Sequence, residues 1–247
     1  MKILKDRGNY PETKMDSGHE NNKVLFILMI SVGIVALWGI IIYNIIIIVA
    51  SAVLMKIIWK IYKKSRKNDD AYRKGMAGEQ TVINALKKLD DNFYLINDIT
   101  LQQPYGNIDH ILLGPNGIFV IETKNYRGNI ECNGDEWHRL YKNRKGPKDF
   151  IMTSPSKQVK RNAVDLKNFL NNAADTVKNK SYIFINAILV FTDPEIHLKL
   201  NNPTVPVLKA KELHDYINDF KTNNLFTIDE LESTAKLIID ASNEAGS

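Results

Sequence analysis

The distribution of charge divides the chain, because residues 24–55 form a run of 32 residues without a charged side chain. A membrane-spanning helix needs about 20 predominantly apolar residues, so this run predicts a membrane anchor. It is longer than the apolar region of a cleaved signal peptide and begins later in the chain, although Ala50-Ser51-Ala52 resembles a cleavage site. A single helix would be about 48 Å long. Either one tilted helix or a hairpin of two short helices, turning near Gly39 or Tyr43-Asn44, is therefore predicted.

The charges that flank this run predict its orientation. Residues 1–23 carry both signs and are predicted to form a polar tail without chemistry, whereas the C-terminal flank is strongly basic. The basic residues of that flank are Lys56, Lys60, Lys63, Lys64, Arg66 and Lys67. Since positive charge favours the cytoplasmic side, we expect a cell-membrane protein with residues 24–58 in the bilayer. Residues 59–70 would then be a basic linker to a cytoplasmic domain.

Beyond the anchor, apolar positions alternate between helical and strand spacing, which predicts a mixed α/β domain. The predicted elements are a helix at Ala71–Leu89, strands at Phe93–Leu101, Ile108–Leu113, Ile118–Thr123 and Gly128–Trp137, a mobile basic loop at Tyr141–Ser154, a helix at Pro155–Asn171 and strands at Tyr182–Phe191 and Val205–Leu208. Two amphipathic helices, Lys211–Phe220 and Thr227–Asn243, complete a C-terminal region, residues 194–247, that is expected to pack on a domain of residues 71–193.

The hairpin around Gly114-Pro115-Asn116-Gly117 has a register that can be calculated. Whether two or four residues form the loop, the numbers of paired residues sum to 231, so Asp109 lies opposite Glu122. Because strand side chains alternate between faces, Lys124 projects from the same face as Glu122.

Two opposed carboxylates repel each other, and a divalent cation between them would turn that repulsion into binding. Hard oxygen ligands of this kind suit Mg²⁺ or Mn²⁺. Lys124 could then orient or deprotonate a water molecule, or neutralise charge that develops on a phosphate. The alternative is that Asp109 and Lys124 form a solvated ion pair across the strands and that Glu122 is an incidental neighbour.

Three segments, Gly78-Glu79, Asn107–His110 and Gly117–Gly128, resemble in order and spacing the motifs of the nuclease-related domain (NERD) family. That family is placed in the PD-(D/E)xK restriction-endonuclease-like superfamily. The resemblance covers about Gly75–Asp193 and implies a mixed-sheet core in the order αβββαβ. It also implies metal-dependent hydrolysis of phosphodiester bonds in DNA. Ile108 stands where a proline often precedes the aspartate.

The resemblance also implies roles for individual residues. Asp109, Glu122 and the carbonyl oxygen of Thr123 would hold the metal ion, and Lys124 would position the attacking water. Glu79, which lies on the apolar stripe of the first predicted helix, would point to the site as an accessory acid. Gln158 would approach the site from the following helix.

A mild excess of positive charge, 33 Lys and Arg against 28 Asp and Glu, is compatible with binding to nucleic acid or anionic lipid. The basic residues expected to contact phosphates are Arg144, Lys145, Lys148, Lys157, Lys160 and Arg161, although such a run is also typical of a solvated surface. The single cysteine, Cys132, excludes an intrachain disulfide and the common zinc clusters.

Together these features predict a membrane-anchored, Mg²⁺-dependent endonuclease that acts on DNA. The alternative function is a catalytically inactive, membrane-tethered module that binds nucleic acid or serves as a scaffold. A transporter component is disfavoured, because one apolar segment offers no polar pathway. The histidines at positions 110, 138, 197 and 214 lack ligand spacing and are assigned no chemistry.

Overall fold

The computed structural model describes residues 1–5, 10–42, 45–101, 107–143, 146–172, 184–222 and 225–245. In chain order the elements are β1 (Lys2–Lys5), α1 (Tyr10–Ile41), α2 (Ile45–Leu86), β2 (Tyr94–Ile99), β3 (Ile108–Gly114), β4 (Gly117–Lys124), β5 (Gly128–Asn133), β6 (Glu136–Asn143), β7 (Gly146–Ile151), α3 (Pro155–Asn172), β8 (Ile185–Phe191), β9 (Ile196–Asn201), β10 (Val207–Lys209), α4 (Ala210–Asn218) and α5 (Ile228–Ala245). They form two compact units, Asn9–Met76 on one hand and Met1–Gly8 with Ala77–Ser247 on the other.

The larger unit is built on a six-stranded mixed sheet in the order β1-β2-β3-β4-β8-β10. Strands β2, β3 and β4 form an antiparallel meander, and β8 then lies parallel to β4 after the crossover through α3. The end of α2, the meander, α3 and β8 give the order αβββαβ. This confirms the predicted α/β class and the mixed-sheet core.

Helices cover both faces of this sheet, which explains why β8 is almost wholly apolar. One cluster of buried residues joins the sheet to α3 and α5 and contains Val159, Leu166, Leu170, Leu231 and Ile238. The other joins it to α2 and α4 and contains Val82, Ile83, Leu86, Leu213 and Ile217. Each helix therefore buries one apolar stripe, as its sequence spacing predicts.

The β3–β4 hairpin has the predicted register, since His110 pairs with Ile121, Leu112 with Phe119 and Gly114 with Gly117. The loop consists of Pro115 and Asn116 alone. Glycine is required at position 114 because a Cβ there would lie 2.2 Å from Cε1 of Phe93. The turn and the packing of that ring together fix which side chains of β3 and β4 face each other.

A second sheet, in the order β7-β6-β5-β9, corrects the prediction of a mobile loop at Tyr141–Ser154. Most of that segment belongs to the antiparallel β6–β7 hairpin, in which Tyr141 pairs with Lys148. A turn at Asn133-Gly134 divides the predicted strand Gly128–Trp137 and connects β5 to β6. The sheet is attached to the core through Trp137, which is 1% exposed and whose indole N–H donates to Ser156 Oγ at 3.0 Å.

The first residues also differ from the predicted polar tail, because Lys2–Lys5 form the edge strand β1. Lys2 pairs with Tyr94 and Ile3 with Leu95, parallel to β2. The amino group of Met1 donates to the carbonyl oxygen of Leu89 at 2.9 Å. A strand of four residues with lysine at both ends is too short and too polar to be recognised by its own pattern, and its partner lies about 90 positions away.

The smaller unit is a helical hairpin, which matches the two-helix alternative for the apolar run. Helix α1 ends at Ile41 and α2 begins at Ile45, and the predicted turn at Tyr43-Asn44 lies outside the described residues. The helices touch at both ends of the apolar region. A Cβ on Gly39 would lie 2.9 Å from Cγ2 of Ile47, and Asn22 Nδ2 donates to Asp69 Oδ2 at 2.5 Å.

Both helices of this hairpin are long and apolar enough to cross a membrane, α1 over Glu20–Ile41 and α2 within Ile45–Leu86. Only 6% and 11% of their apolar windows are buried, which is unlike the core helices of a soluble domain. The predicted basic linker at 59–70 is helical and continuous with α2. Apolar side chains this exposed need a covering surface.

Candidate active site

The candidate site lies where β3 begins and β4 ends. Asp109 and Glu122 occupy the next register positions after the His110–Ile121 pair, so both carboxylates belong to the sheet face that α3 covers. Asp109 Oδ2 accepts a hydrogen bond from the Thr123 N–H at 2.7 Å. Glu122 is only 1% exposed. The structure thus brings together the two carboxylates whose opposition the turn predicts.

Lys124 and α3 complete the surroundings of Glu122. Lys124 Nζ lies 2.5 Å from Glu122 Oε1 and donates to Gln158 Oε1 at 3.2 Å. Asn162, one helical turn after Gln158, directs its Nδ2 to Glu122 Oε2 at 3.4 Å. Sequence reasoning missed Asn162, although an amide four residues after Gln158, beside the apolar Val159 and Ala163, was an available signal.

Electrostatics at the site favour a cation. Burial, reinforced by the charge of Asp109, raises the pKa of Glu122 to about 8 although Lys124 opposes the shift. Burial also raises the pKa of Asp109, against the Thr123 N–H. For Lys124, burial alone would lower the pKa, but Glu122 and Asp109 outweigh it and raise the pKa. One ammonium does not balance the charge of a buried and a partly buried carboxylate, so a second positive charge fits here.

The donor set suits a hard divalent ion that keeps several water molecules, as Mg²⁺ does. Among the residues that the structure describes, no three His, Cys, Asp or Glu side chains form a group that could hold a metal ion. Any ion here would therefore rely on Asp109, Glu122 and main-chain oxygen, for which the Thr123 carbonyl remains the predicted donor. Glu79 lies in α2 beside Gly78, and its accessory role stays a prediction.

Asp98 is an acidic neighbour that sequence reasoning did not single out. It lies between the Asn97–His110 and Ile99–Ile108 pairs of β2 and β3, which places it beside Asp109. Its φ of 52° is in the left-handed region, and Asn107 Nδ2 donates to its Oδ1 at 2.6 Å. Its charge contributes to the raised pKa of Asp109.

The predicted phosphate-binding residues fall into three groups. Lys157 and Arg161 are exposed on α3. Lys160 is instead paired with Asp135 at 2.7 Å, and this ammonium, with the Ser156 and Thr204 hydroxyls, holds the pKa of that carboxyl well below its usual range. Arg144 and Lys145 lie outside the described residues. Lys148 lies in β7, but its side chain is outside the described part.

Gly78 allows α2 to approach the strand that carries the site. A Cβ on Gly78 would lie 2.9 Å from Thr192 Oγ1, 3.0 Å from Asn125 Cβ and 3.3 Å from Thr123 Cγ2. We therefore expect Gly78→Ala to destabilise the domain by about 1–3 kcal/mol, measured by chemical denaturation. Gly75→Ala, on the same helix with nothing within 4 Å, is the matched control and should be neutral or stabilising. Equal destabilisation by both variants would contradict this explanation.

Comparison with known proteins agrees with this geometry. Residues 74–192 match the family model described as the nuclease-related domain. A segment of 59 residues is 46% identical to an uncharacterized protein of Bacillus anthracis, and the match covers 22% of this chain and 28% of that protein's length. No solved structure matches the chain at a significant level. The matched region contains the αβββαβ core, in which Asp109 on β3 lies opposite Glu122 on β4 and Lys124 is nearby. Residues 74–192 therefore belong to the nuclease-related domain family.

Proposed function

We propose that this protein is a Mg²⁺-dependent nuclease that hydrolyses phosphodiester bonds in DNA and is held at the cell membrane by its helical hairpin. The observation that carries the proposal is the cluster formed by the buried Glu122 with the partly buried Asp109 and Lys124, in which Lys124 Nζ lies 2.5 Å from Glu122 Oε1. A solvated surface ion pair would not bury Glu122 to 1% exposure. Buried carboxylates with raised pKa values are typical of functional sites.

The metal ion would be held by Asp109, Glu122 and the Thr123 carbonyl, with Mg²⁺ preferred and Mn²⁺ as a substitute. When bound, such an ion polarises a phosphate oxygen and makes water a stronger nucleophile at neutral pH. The chain prepares this site before the ion binds. The Thr123 N–H holds one oxygen of Asp109, and Asn162 restrains Glu122.

Lys124 acts as a cation, because its raised pKa keeps the ammonium protonated at neutral pH. A protonated lysine can donate to the oxygen of the attacking water and can neutralise charge that develops on the phosphate. Gln158 fixes its direction by accepting one of its N–H bonds. This favours the positioning role for Lys124 over the role of a general base.

DNA is the proposed substrate, and Lys157 and Arg161 are the proposed phosphate contacts within the described part of the chain. Both are exposed on the helix that carries Gln158 and Asn162. The charge of Arg161 acts to lower the pKa of Glu122, so it is near enough to influence the site. Contacts of this kind bind the backbone without reading sequence.

Two membrane passes are the proposed topology. Lys23–Ile41 and Ile45–Lys63 each contain 19 residues, about 28 Å of helix, which is close to the thickness of a bilayer core. Lys56 and Lys60 lie in the second leg, where long side chains can extend towards the headgroups. Because β1 pairs with β2, both ends of the hairpin connect to the same domain. The basic flank supports the cytoplasmic side.

The function is tested by incubating the full chain, purified in detergent, with single-stranded DNA, double-stranded DNA and RNA. We expect cleavage of DNA with Mg²⁺ and none in excess EDTA. Asp109→Asn should lower the rate by roughly 10³-fold, because it removes the charged metal ligand while the side chain keeps nearly the same shape. Lys157→Gln should only weaken DNA binding and its salt dependence. Equal cleavage in EDTA would contradict the metal mechanism, and DNA binding without cleavage would favour the inactive module.

The topology is tested by labelling cysteines with a membrane-impermeant maleimide in a Cys132→Ser background. Lys2→Cys in β1 and Lys236→Cys in α5 are expected to react only after the cells are permeabilised. Ile42→Cys, at the end of α1, should react in intact cells because it lies at the opposite end of the hairpin. Opposite accessibility of Lys2→Cys and Lys236→Cys would exclude two passes.

A further inference from the structure

A buried chain of hydrogen bonds runs from β1 to the candidate site through side chains that have no role in the mechanism above. Asn97 Nδ2 donates to the carbonyl oxygen of Lys5 at 3.3 Å, and Asn97 Oδ1 lies 2.7 Å from His110 Nδ1. His110 Nε2 lies 3.2 Å from Thr123 Oγ1. The Thr123 N–H then donates to Asp109 at 2.7 Å. The chain therefore ends on a predicted metal ligand.

The directions of these bonds form a consistent set. Asn97 uses its N–H on Lys5, so its carbonyl oxygen is the acceptor and His110 Nδ1 is the donor. In a neutral ring the other nitrogen, Nε2, is then an acceptor, and the Thr123 hydroxyl donates to it. The arrangement selects one tautomer of His110, the one protonated at Nδ1.

Burying this network of polar side chains on this face of the sheet costs free energy of folding. Asn97 and His110 are 1% and 0% exposed, and the same face buries Leu112 and Ile121 in an apolar cluster. Apolar side chains at both positions would bury no polar atoms, whereas polar groups here require complete pairing. Packing alone does not account for them, and the residue that they restrain is Thr123.

The side chain of Thr123 is held on the face of the sheet opposite to the face that carries Asp109. Its hydroxyl meets His110 on the side of the sheet that α2 covers, while its N–H binds the Asp109 carboxylate. Its methyl group lies beside Gly78, where an added Cβ would be 3.3 Å away. Thr123 therefore contacts α2 directly and is linked to β1 through His110 and Asn97. Of these two elements, β1 precedes the helical hairpin in the chain, and the end of α2 follows it.

We propose that His110 is a positioning residue that holds Thr123 where its backbone can orient Asp109, and that this geometry depends on the pairing of β1 with β2. The inference rests on the proposed function, because Asp109 and the Thr123 carbonyl are metal ligands only in that function. Loss of β1 removes the acceptor of Asn97, which frees the amide and allows the His110 ring to change tautomer. The metal site is then less well formed although none of its own residues has changed.

The test measures Mg²⁺ affinity of the full chain in detergent by calorimetry. Thr123→Val keeps the shape but removes the hydroxyl, and Asn97→Leu removes the link to β1. Each should weaken Mg²⁺ binding about 10-fold, as loss of a partner behind a metal ligand does. Thr123→Ser should restore most of what Thr123→Val loses. The double variant should lose no more than the weaker-binding single variant, because both act through His110.

Leu112→Ala is the matched control, since Leu112 is 0% exposed and lies two residues along β3 on the same face as His110. It should lower stability without weakening Mg²⁺ binding. Equal Mg²⁺ affinity in the wild type, Thr123→Val and Asn97→Leu would overturn the proposal. So would an equal loss in Leu112→Ala, because general destabilisation would then explain the effect.

A metal-free measurement separates this inference from the proposed function. Nitrogen-15 spectra of the histidine side chains should show His110 protonated at Nδ1 in the wild type and not in Asn97→Leu, and the Thr123 amide should exchange faster in that variant. If the wild type binds no Mg²⁺ but gives these spectra, the proposed function fails and the positioning of Thr123 stands. A wild-type His110 protonated at Nε2 alone would overturn the positioning role.

Discussion

Glu122→Gln is expected to abolish Mg²⁺-dependent cleavage while making the metal-free protein more stable at alkaline pH. The substitution keeps the size of the side chain and its contact with Asn162 but removes the charge that a cation needs, so the rate should fall by roughly 10³-fold or more. The same charge is unfavourable when no metal ion is bound, because Glu122 is 1% exposed and faces Asp109, and Lys124 offsets this only in part. Activity and stability should therefore change in opposite directions.

The sign of the expected stability change follows from the pKa of Glu122 in the folded and unfolded states. The folded-state pKa of Glu122 is raised to about 8, whereas an unfolded chain has a glutamate pKa near 4.3. The protonated carboxyl stabilises the fold fully below the unfolded value, and that contribution is lost as the pH rises from about 4 through 8. Denaturation of the metal-free proteins should show the wild type losing a few kcal/mol relative to Glu122→Gln across this window.

Two controls make this result specific. Glu131→Gln, on β5, removes a carboxylate that pairs with Lys199 at the surface, and it should change stability by less than about 1 kcal/mol and leave cleavage intact. Saturating Mg²⁺ should reverse the order of stability at pH 8, since only the wild type gains from binding the ion. A Glu122→Gln protein that is no more stable than the wild type at pH 9 would contradict the conclusion that the charge of the buried Glu122 is unfavourable without a metal ion.

Replacing residues 10–76 by a flexible linker is expected to release the protein from membranes without loss of cleavage. This replacement removes almost the whole smaller unit and leaves β1 joined to the larger one. A Gly/Ser linker of about 30 residues has a root-mean-square span of about 30 Å, comparable to a small domain. Sedimentation of cell extracts measures the release, and the Mg²⁺-dependent assay measures the function. Sedimentation with membranes after the replacement would exclude the hairpin as the anchor.

The informative comparison is a chain that begins at Ala77 and therefore lacks β1. This chain also lacks the helical hairpin, but it leaves the edge of β2 unpaired. Leu95 and Ile96 of that strand are fully buried in the intact sheet. Open, apolar edges promote association between sheets. We expect this shorter chain to be less stable and prone to aggregation, whereas the linker protein stays monomeric. Identical behaviour of the two proteins would show that β1 contributes nothing to the domain.

The site was predictable from sequence to the extent that it depends on local rules. The turn at Pro115 and Asn116 determines the register of β3 and β4, and a period of two then aligns Asp109, Glu122 and Lys124. Gln158 was found only through family resemblance, because the approach of α3 to β4 is a tertiary contact. Asp98 was missed because its place beside Asp109 depends on the pairing of β2 with β3, whereas Asn162 could have been found from its spacing of four residues from Gln158.

Two of the errors in the predicted fold concern edge strands, β1 and β7, which carry little sequence signal. Strand β1 has four residues, two of them lysine, and β7 reads Gly-Pro-Lys-Asp-Phe-Ile, so neither shows the alternation of apolar and polar residues that indicates a strand. Strand β9 was missed although Ile196, Leu198 and Leu200 alternate with polar residues. For the apolar run, by contrast, the sequence did not decide between one tilted helix and a hairpin of two helices, because its length allows both.

The position of β1 has a consequence for biosynthesis. Lys2 is synthesised before the two helices of the hairpin, whereas its partner Tyr94 follows both of them in the chain. In the proposed two-pass topology, the central sheet therefore cannot gain its first strand until both helices have inserted and the chain has returned to the side of the membrane on which β1 lies. A molecule in which only one of the two helices had crossed the membrane would hold Lys2–Lys5 and β2 on opposite sides of the bilayer, and the edge of β2 would then stay unpaired.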